Sequence, residues 1–151
     1  MFIKIYTFGK QKKSELFQLK ERYMIMLSKW NVEFIELKES KFGNAKSKQE
    51  ADFKTFSKKL DQNFFPILMD ERGSEFTSVN LAKKLEKMNL EGLKIAFCLG
   101  GPFGFTEEDK NFFKEKIALS KLTLTHEMAE IILLEQLYRS FTILNNKDYH
   151  Y

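Results

Sequence analysis

Short apolar segments alternate with amphipathic segments along most of this 151-residue chain. Four apolar segments are rich in β-branched and aromatic residues and predict β-strands; they are residues 2–8, 32–37, 64–69 and 93–99. The segments between them place apolar residues three or four apart, which is the spacing of one helical face. A chain that alternates in this way favours a parallel sheet covered by helices. We therefore predict an α/β fold in a single domain, residues 1–151.

Local signals place the helices and turns between these strands. The predicted helices are residues 14–30, 45–60, 78–88, 106–117 and 126–145. Thr77 or Ser78 can cap the third of them, and Thr125 can cap the last. Thr106 and Asp109 have the spacing of a capping box, which predicts the helix that follows them. Residues 70–73 are predicted to form a turn after the third strand.

A glycine-rich loop follows the fourth strand directly. It reads Gly-Gly-Pro-Phe-Gly at residues 100–104, and glycine allows the backbone to approach a ligand closely or to adopt a positive φ. The loop lacks the Gly-Lys-Ser/Thr ending of a P-loop and the G-x-G-x-x-G spacing of a dinucleotide site. The loop, the end of the third strand at Met69 and the segment 119–124 are expected to meet in one mostly apolar pocket. Such a pocket suits an adenine ring and a thioether or sulfonium tail.

The composition excludes several classes of protein. Cys98 is the sole cysteine, so an internal disulfide is excluded, and its apolar neighbours predict a buried, inert thiol. One cysteine and two histidines are too few for a zinc site, and we expect no metal. The longest apolar runs are too short to cross a bilayer, and the first residues do not resemble a signal peptide. We expect a cytoplasmic protein without a membrane partner.

The net charge is +4, and lysines make up most of the cations. A mildly basic surface is compatible with an anionic partner such as RNA, although lysine also keeps a protein in solution. On charge alone, both interpretations stay open.

The last predicted helix is apolar on more than one face. Its apolar residues are Met128, Ile131, Ile132, Leu133, Leu134, Leu137, Tyr138, Phe141 and Leu144. A helix that covers one sheet needs a narrower stripe. Two interpretations are open: a symmetric homodimer, or a helix wedged between other parts of its own chain. We predict the homodimer.

Five motifs in this order resemble the RlmH family, which consists of small SPOUT-class methyltransferases that act on the large ribosomal subunit. They are Leu-Met-Asp-Glu-Arg-Gly with Thr-Ser (68–78), Gly-Gly-Pro-Phe-Gly (100–104), Leu-Ser-Lys-Leu-Thr-Leu-Thr-His (119–126), Leu-Leu-Glu-Gln-Leu-Tyr-Arg (133–139) and the terminal Tyr149-His150. The resemblance covers the whole chain without large gaps.

The resemblance implies a SPOUT-type parallel sheet flanked by helices, with a C-terminal trefoil knot, and a homodimer that binds S-adenosylmethionine in the knot. It implies methylation of N3 of a pseudouridine in 23S rRNA on the ribosome. By motif, the cofactor contacts are Met69, Gly100, Leu119, Ser120, Lys121, Leu122, Thr123 and Leu124.

The same resemblance implies catalytic roles at the end of the chain. His150 is the candidate base by its side-chain chemistry, and Tyr149 would orient the target ring or stack on it. The alternative for His150 is a frayed chain terminus without a role in catalysis.

Three positions depart from the family pattern. Glu130 stands where the family usually has arginine, Asp148 replaces the usual proline, and Tyr151 replaces a basic residue. All three changes are expected to lower the positive charge on the side that faces RNA. The lysines that could compensate, or else form ordinary solvated surface, are Lys10, Lys12, Lys13, Lys41 and Lys46.

These departures leave two alternatives open. One is a SPOUT methyltransferase with another RNA target, and the other is a non-catalytic, cofactor-binding module associated with the ribosome. Two smaller expectations concern the last helix: His126 positions its start rather than touching RNA, and Glu135 pairs with Arg139 four residues on.

Overall fold

A computed structural model describes residues 1–10 and 14–146. In this part of the chain, five parallel strands form one sheet in the order β2-β1-β4-β3-β5. The strands are β1 Ile3–Phe8, β2 Val32–Leu37, β3 Phe64–Glu75, β4 Lys94–Leu99 and β5 Glu115–Ala118. The helices are α1 Glu15–Leu27, α2 Ala45–Lys59, α3 Ser78–Leu90 and α4 His126–Leu144. The predicted α/β class, with a parallel sheet flanked by helices, is confirmed.

Each long helix begins at a residue whose side chain accepts a backbone N–H from the first turn. These residues are Ser14, Asn44, Thr77 and Thr125. Such caps satisfy one of the donors that a helix leaves unpaired at its start. The helix starts near Ser14, Thr77 and Thr125 that the sequence predicted are thereby confirmed.

The sheet has a hydrophobic core on each face. On one face, α1, α3 and α4 cover a core that includes Ile5, Ile95 and Phe97. On the other face, α2 and the segment after β4 contribute a cluster of phenylalanines around Phe56. Cys98 lies in this second core and is fully buried. Burial raises the pKa of its thiol well above the ordinary value, so the prediction of a buried, inert cysteine is confirmed.

Helix α4 is wedged between α1 and α3 of its own chain. Leu133, Leu134, Leu137 and Phe141 are at most 2% exposed there. At these positions the apolar side chains of α4 are therefore buried against helices of the same chain. The homodimer stays a prediction. None of the described helices combines the length and hydropathy needed to cross a membrane.

The predicted helix over residues 106–117 is wrong. The capping box does form, since the Asp109 backbone N–H donates to Thr106 Oγ1 at 3.1 Å and Thr106 Oγ1 donates to Asp109 Oδ2 at 2.7 Å. It starts only a short 3₁₀ turn, Asp109–Phe112. Phe113 then enters the phenylalanine core, and β5 takes its place as the edge strand beside β3. Tertiary pairing overrides the local helix signal here.

The prediction that the third strand ends in a turn at residues 70–73 is also wrong. Strand β3 continues to Glu75 through an irregularity, in which Met69 and Ser74 both pair with Ile117 of β5. Inside this bulge the Arg72 backbone N–H donates a local hydrogen bond to Asp70 Oδ1 at 2.9 Å. The bulge projects residues 70–73 beyond the regular sheet pairing, at the edge where the predicted pocket lies.

Candidate functional site: a cavity at the carboxyl edge of the sheet

The ends of β3, β4 and β5 and the start of α4 surround a cavity of about 410 Å³. Its walls come from residues within 68–72, 99–105 and 117–129, together with Lys110. In a parallel sheet the loops after neighbouring strands meet at one edge, which is where ligands bind in open α/β folds. The cavity volume lies in the range of small-molecule sites. The predicted convergence of the three loops on one pocket is confirmed.

Seven of the eight residues that motif comparison predicted for the cofactor line this cavity. They are Met69, Gly100, Leu119, Ser120, Leu122, Thr123 and Leu124. Lys121 does not line it: its side chain is 84% exposed, and Nζ lies 3.6 Å from Glu75 Oε2. The predicted catalytic residues Tyr149 and His150 lie outside the described residues, as do Asp148 and Tyr151.

The glycine loop forms part of the cavity wall by close backbone packing. Among its glycines, all of which the structure describes, Gly104 alone adopts a positive φ, of 66°. A Cβ added to Gly100 would lie 3.1 Å from Gly104 Cα. The loop closes on itself through the Gly104 N–H, which donates to the Gly101 carbonyl at 2.8 Å. A side chain at Gly100 would therefore push apart a turn that borders the cavity.

Helix α2 holds the glycine loop from outside through contacts that the sequence did not reveal. Gln49 Nε2 donates to the Phe103 carbonyl oxygen at 2.7 Å. Asp52 is 4% exposed, and its Oδ1 accepts the Ser40 backbone N–H at 2.7 Å. A Cβ on Gly101 would lie 2.6 Å from Asp52 Oδ2. Burial raises the pKa of Asp52 and outweighs the Ser40 hydrogen bond, which lowers it.

A partly buried ion pair lies at the polar edge of the cavity. Lys110 Nζ lies 2.9 Å from Asp70 Oδ2, with side chains 15% and 9% exposed. Burial favours the neutral form of Asp70, but hydrogen bonds from the Arg72 N–H and Lys110 outweigh it and lower the pKa of this carboxyl. Beside the pair, Thr123 Oγ1 donates to Glu71 Oε2 at 2.7 Å and ties segment 119–124 to the β3 bulge. The bulge therefore both closes the cavity and gives it carboxylates.

A second charged cluster lies behind the cavity wall, between α1, α4 and the sheet. Thr7 Oγ1 donates to Glu130 Oε1 at 2.5 Å, and His126 Nε2 lies 3.1 Å from the same oxygen. Lys20 Nζ lies 3.0 Å from Glu36 Oε1 and 3.8 Å from Glu130 Oε2. His126 also lines the cavity, so this cluster fixes the start of α4 against β1. The expectation that His126 positions the helix start agrees with these contacts.

Glu130 does not lie on the protein surface, so its expected effect on an RNA-facing side would not come from an exposed carboxylate. Glu130 is 3% exposed, and its carboxylate points into the cluster, where Lys20 supplies a buried cation. Sequence reasoning missed this pair because Lys20 and Glu130 are 110 positions apart and each reads as ordinary surface charge. The expected pair of Glu135 with Arg139 is confirmed, since Arg139 Nε donates to Glu135 Oε1 at 2.8 Å.

Acidification is expected to remove the stabilisation that Glu130 provides. Burial alone would raise the pKa of Glu130, but hydrogen bonds from His126 and Thr7 and the charge of Lys20 outweigh it and lower the pKa. A carboxyl with a lowered folded pKa stabilises the fold above its unfolded value of about 4.3. This contribution is lost as the pH falls through the folded pKa. Urea unfolding at pH 7 and pH 3 should show a smaller drop in unfolding free energy for Glu130→Gln than for the wild type. Equal drops would contradict the assignment.

A family model described as Predicted SPOUT methyltransferase matches residues 1–150. The chain is 36% identical to a Ribosomal RNA large subunit methyltransferase H of Christiangramia forsetii over 156 aligned positions, which cover 100% of this chain and 99% of that protein. A protein of the same name in Malacoplasma penetrans is 36% identical, with 99% of both chains covered. One in Parabacteroides distasonis is 41% identical over 68% of this chain and 66% of that protein.

The matches extend along the full chain and include the loops that build the cavity. The parallel sheet with helices on both faces agrees with them. This chain belongs to the SPOUT methyltransferase family, and within it to the RlmH group that its motifs resemble.

Proposed function

We propose that this protein transfers a methyl group from S-adenosylmethionine to N3 of a pseudouridine in the 23S rRNA of the large ribosomal subunit. The observation that carries the proposal is the cavity at the sheet edge, where seven residues expected to hold the cofactor stand together. The relatives that align over the whole chain are named for methylation of large-subunit rRNA. We propose that the protein acts in the cytoplasm, where its ribosomal substrate would be.

The residues of the cavity fit the proposed cofactor. Met69, Leu119 and Leu124 present apolar side chains to the cavity, which suits a flat adenine ring. Asp70 and Glu71 stand at its polar edge, where carboxylates can accept hydrogen bonds from ribose hydroxyls or an ammonium group. Because Gly100 has no side chain, its backbone at the cavity wall can approach a ligand closely. These residues would hold the cofactor, and the bound cofactor would supply an already activated methyl group.

The task left to the protein is alignment and removal of one proton. The walls of the cavity would orient the target nitrogen toward the methyl group that the bound cofactor supplies. A base of the protein would take the proton that this nitrogen loses on methylation. By the family resemblance we assign the base to His150 and the orientation of the target ring to Tyr149. Both assignments stay predictions, as does the trefoil knot.

We further propose that the chain works as one domain and as a homodimer. Ile25 on α1 is 74% exposed and Met128 on α4 is 39% exposed, and these two helices pack against each other. A second copy could cover such apolar positions. Light scattering should give about 36 kDa, which is twice the chain mass of 17.9 kDa. A mass near that of one chain would exclude the dimer.

Methyl transfer to ribosomes that lack the modification tests the proposed function. With labelled S-adenosylmethionine, we expect label in 23S rRNA, and mass mapping of the digested rRNA should place it on a pseudouridine. Label in another RNA would instead support a different target. Cofactor binding in calorimetry without transfer to any RNA would support the non-catalytic module. Absence of cofactor binding would overturn all three readings.

Replacing Gly100 by valine is expected to weaken S-adenosylmethionine binding about 100-fold, which corresponds to about 2.7 kcal/mol. The added Cβ would already lie 3.1 Å from Gly104 Cα, so the larger side chain must displace the loop or enter the cavity. Calorimetric titration of both proteins measures the change. Gly92→Ala is the control for a side chain added at a glycine outside the cavity, because a Cβ there meets no atom within 4 Å and only the φ of 74° is strained. Unchanged affinity of the Gly100 variant would refute the placement of the ligand.

A further inference from the structure

Two phenylalanines are exposed on two loops that both contact Asp52 of α2, and one of these loops is the glycine loop that borders the cavity. Phe42 lies between β2 and α2 and is 87% exposed, and Phe103 of the glycine loop is 50% exposed. Gly101, Pro102, Gly104 and Phe105 line the cavity, whereas Phe103 does not. The residues on both sides of Phe103 therefore line the cavity, whereas Phe103 itself is exposed outside it. Exposed aromatic side chains of this size mark interaction surfaces when they occur together.

A single buried carboxylate anchors both loops. Asp52 Oδ1 accepts the Ser40 N–H at 2.7 Å, and Asp52 Oδ2 lies against Gly101, where an added Cβ would be 2.6 Å away. Phe42 and Phe103 each follow their anchored residue by two positions. Since Asp52 is 4% exposed, this arrangement carries the desolvation cost of a buried carboxylate. Through these two contacts one side chain of α2 touches both loops close to their aromatic residues.

The surroundings of these rings are positive. The stretch 38–48 contains Lys38, Lys41, Lys46 and Lys48 against one acidic residue, Glu39. Of these lysines, Lys46 has a carboxylate nearby, since its Nζ lies 3.9 Å from Glu50 Oε1. Lys48 Nζ lies 5.2 Å from the centre of the Phe103 ring. Gln49, the next residue of α2, donates to the Phe103 carbonyl. The lysines make an anionic partner favourable and disfavour a purely apolar one.

Aromatic rings interspersed with lysines are the features by which proteins bind unpaired nucleotides. The ring stacks on a base, which is worth about 1–3 kcal/mol per base, and the lysine neutralises the phosphate. We propose that Phe42, Phe103 and Lys48 form a stacking surface for unpaired RNA nucleotides that flank the methylated one. The inference rests on the proposed function and deepens it, because it says how a chain of this size holds its RNA. Nucleotides bound there would lie next to the loop that holds the cofactor.

The test compares methyl transfer by Phe42→Ala, Phe103→Ala and the double variant on ribosomes that lack the modification. We expect each single change to raise KM about 10-fold at nearly unchanged kcat, because stacking contributes to binding rather than to the transfer. Calorimetry should show unchanged affinity for S-adenosylmethionine, and Phe103→Trp should restore KM. Leu90→Ala is the control, since Leu90 is 81% exposed at the end of α3. Lys48→Met should flatten the salt dependence of binding by about one counterion.

Direct binding of a 23S rRNA fragment gives a readout that needs no turnover. Weaker binding by the double variant, with cofactor affinity intact, supports the stacking surface even if the wild type methylates another RNA. Equal KM and equal RNA affinity in the double variant and the wild type would overturn it and leave the proposed function standing. Conversion of a dimer to a monomer by these substitutions would also overturn it, because the surface would then contact a second chain.

Discussion

Replacing Gly73 by alanine is expected to lower the free energy of unfolding by about 3 kcal/mol or more and to abolish binding in the cavity. An added Cβ would lie 2.6 Å from both Ile117 N and Lys116 C. Real Cβ atoms do not approach backbone atoms so closely, and a strand backbone cannot rotate away as a flexible side chain can. The variant must therefore separate β3 from the edge strand β5.

The damage should reach the cavity because the β3 bulge forms one of its walls. Met69 and Ser74 pair with the same residue of β5, Ile117, so Gly73 lies where the two strands meet around the bulge. The bulge also holds Lys110 through Asp70 and Thr123 through Glu71. Displacement of this segment would open the wall opposite the glycine loop.

The control for this prediction separates steric clash from backbone strain. Gly92 has a φ of 74°, and a Cβ added there meets no atom within 4 Å. Gly92→Ala should therefore cost only the left-handed conformation, about 1 kcal/mol. Urea unfolding gives both free energies, and calorimetry with S-adenosylmethionine gives both affinities. If both variants lose the same free energy of unfolding and Gly73→Ala still binds S-adenosylmethionine, the prediction is wrong. The close approach of β3 to β5 would then be needed neither for stability nor for the cavity.

Replacing Lys20 by methionine is expected to cost about 3 kcal/mol of unfolding free energy at pH 8, as when one partner of a buried pair is removed. Lys20 is 4% exposed, and it serves two carboxylates, Glu36 and Glu130. Its Nζ also lies 3.7 Å from the centre of the Phe34 ring. Methionine keeps most of the aliphatic packing, so the loss reports the missing charge. Glu130 Oε2 makes no hydrogen bond to a described residue and would keep no cation near it.

A double-mutant cycle isolates this interaction. Lys20→Met combined with Glu130→Gln should be less destabilised than the sum of the two single variants, because the second change removes the uncompensated charge. Lys87→Met is the matched control: its side chain is 78% exposed and Nζ lies 3.9 Å from Glu91, which makes a loss within about 0.5 kcal/mol the expected result. Equal losses for Lys20→Met and Lys87→Met would show that the buried pair contributes nothing.

The elements predicted correctly are those that neighbouring residues determine. Strand β2 begins and ends where its apolar segment does, at Val32–Leu37. Thr77 and Thr125 cap the helices that follow them. In each case a few adjacent residues supply both the pattern and the boundary. The meeting of three loops at one sheet edge was predictable as well, because it follows from parallel strand order alone.

The errors fall where distant segments compete with a local signal. The capping box at Thr106 and Asp109 forms as predicted, but β5 gains a strand partner in β3 and buries Ile117 and Ala118. The same pairing carries β3 past Gly73, where a turn was predicted. The exposure of Lys121 was also beyond a motif comparison, which assigns a position and not a side-chain direction.

The sequence by itself determined the α/β class, the helix caps at Thr77 and Thr125, the family and seven of the residues around the cavity, because short-range periodicity and motifs carry that information. The tertiary structure alone decided which charges are buried. Lys20, Asp52 and Glu130 are 4%, 4% and 3% exposed, although Lys20 and Asp52 lie in polar stretches of sequence. Their burial depends on partners far away in the chain, since a charge leaves water only where the fold brings it a counter-charge or a hydrogen-bond donor.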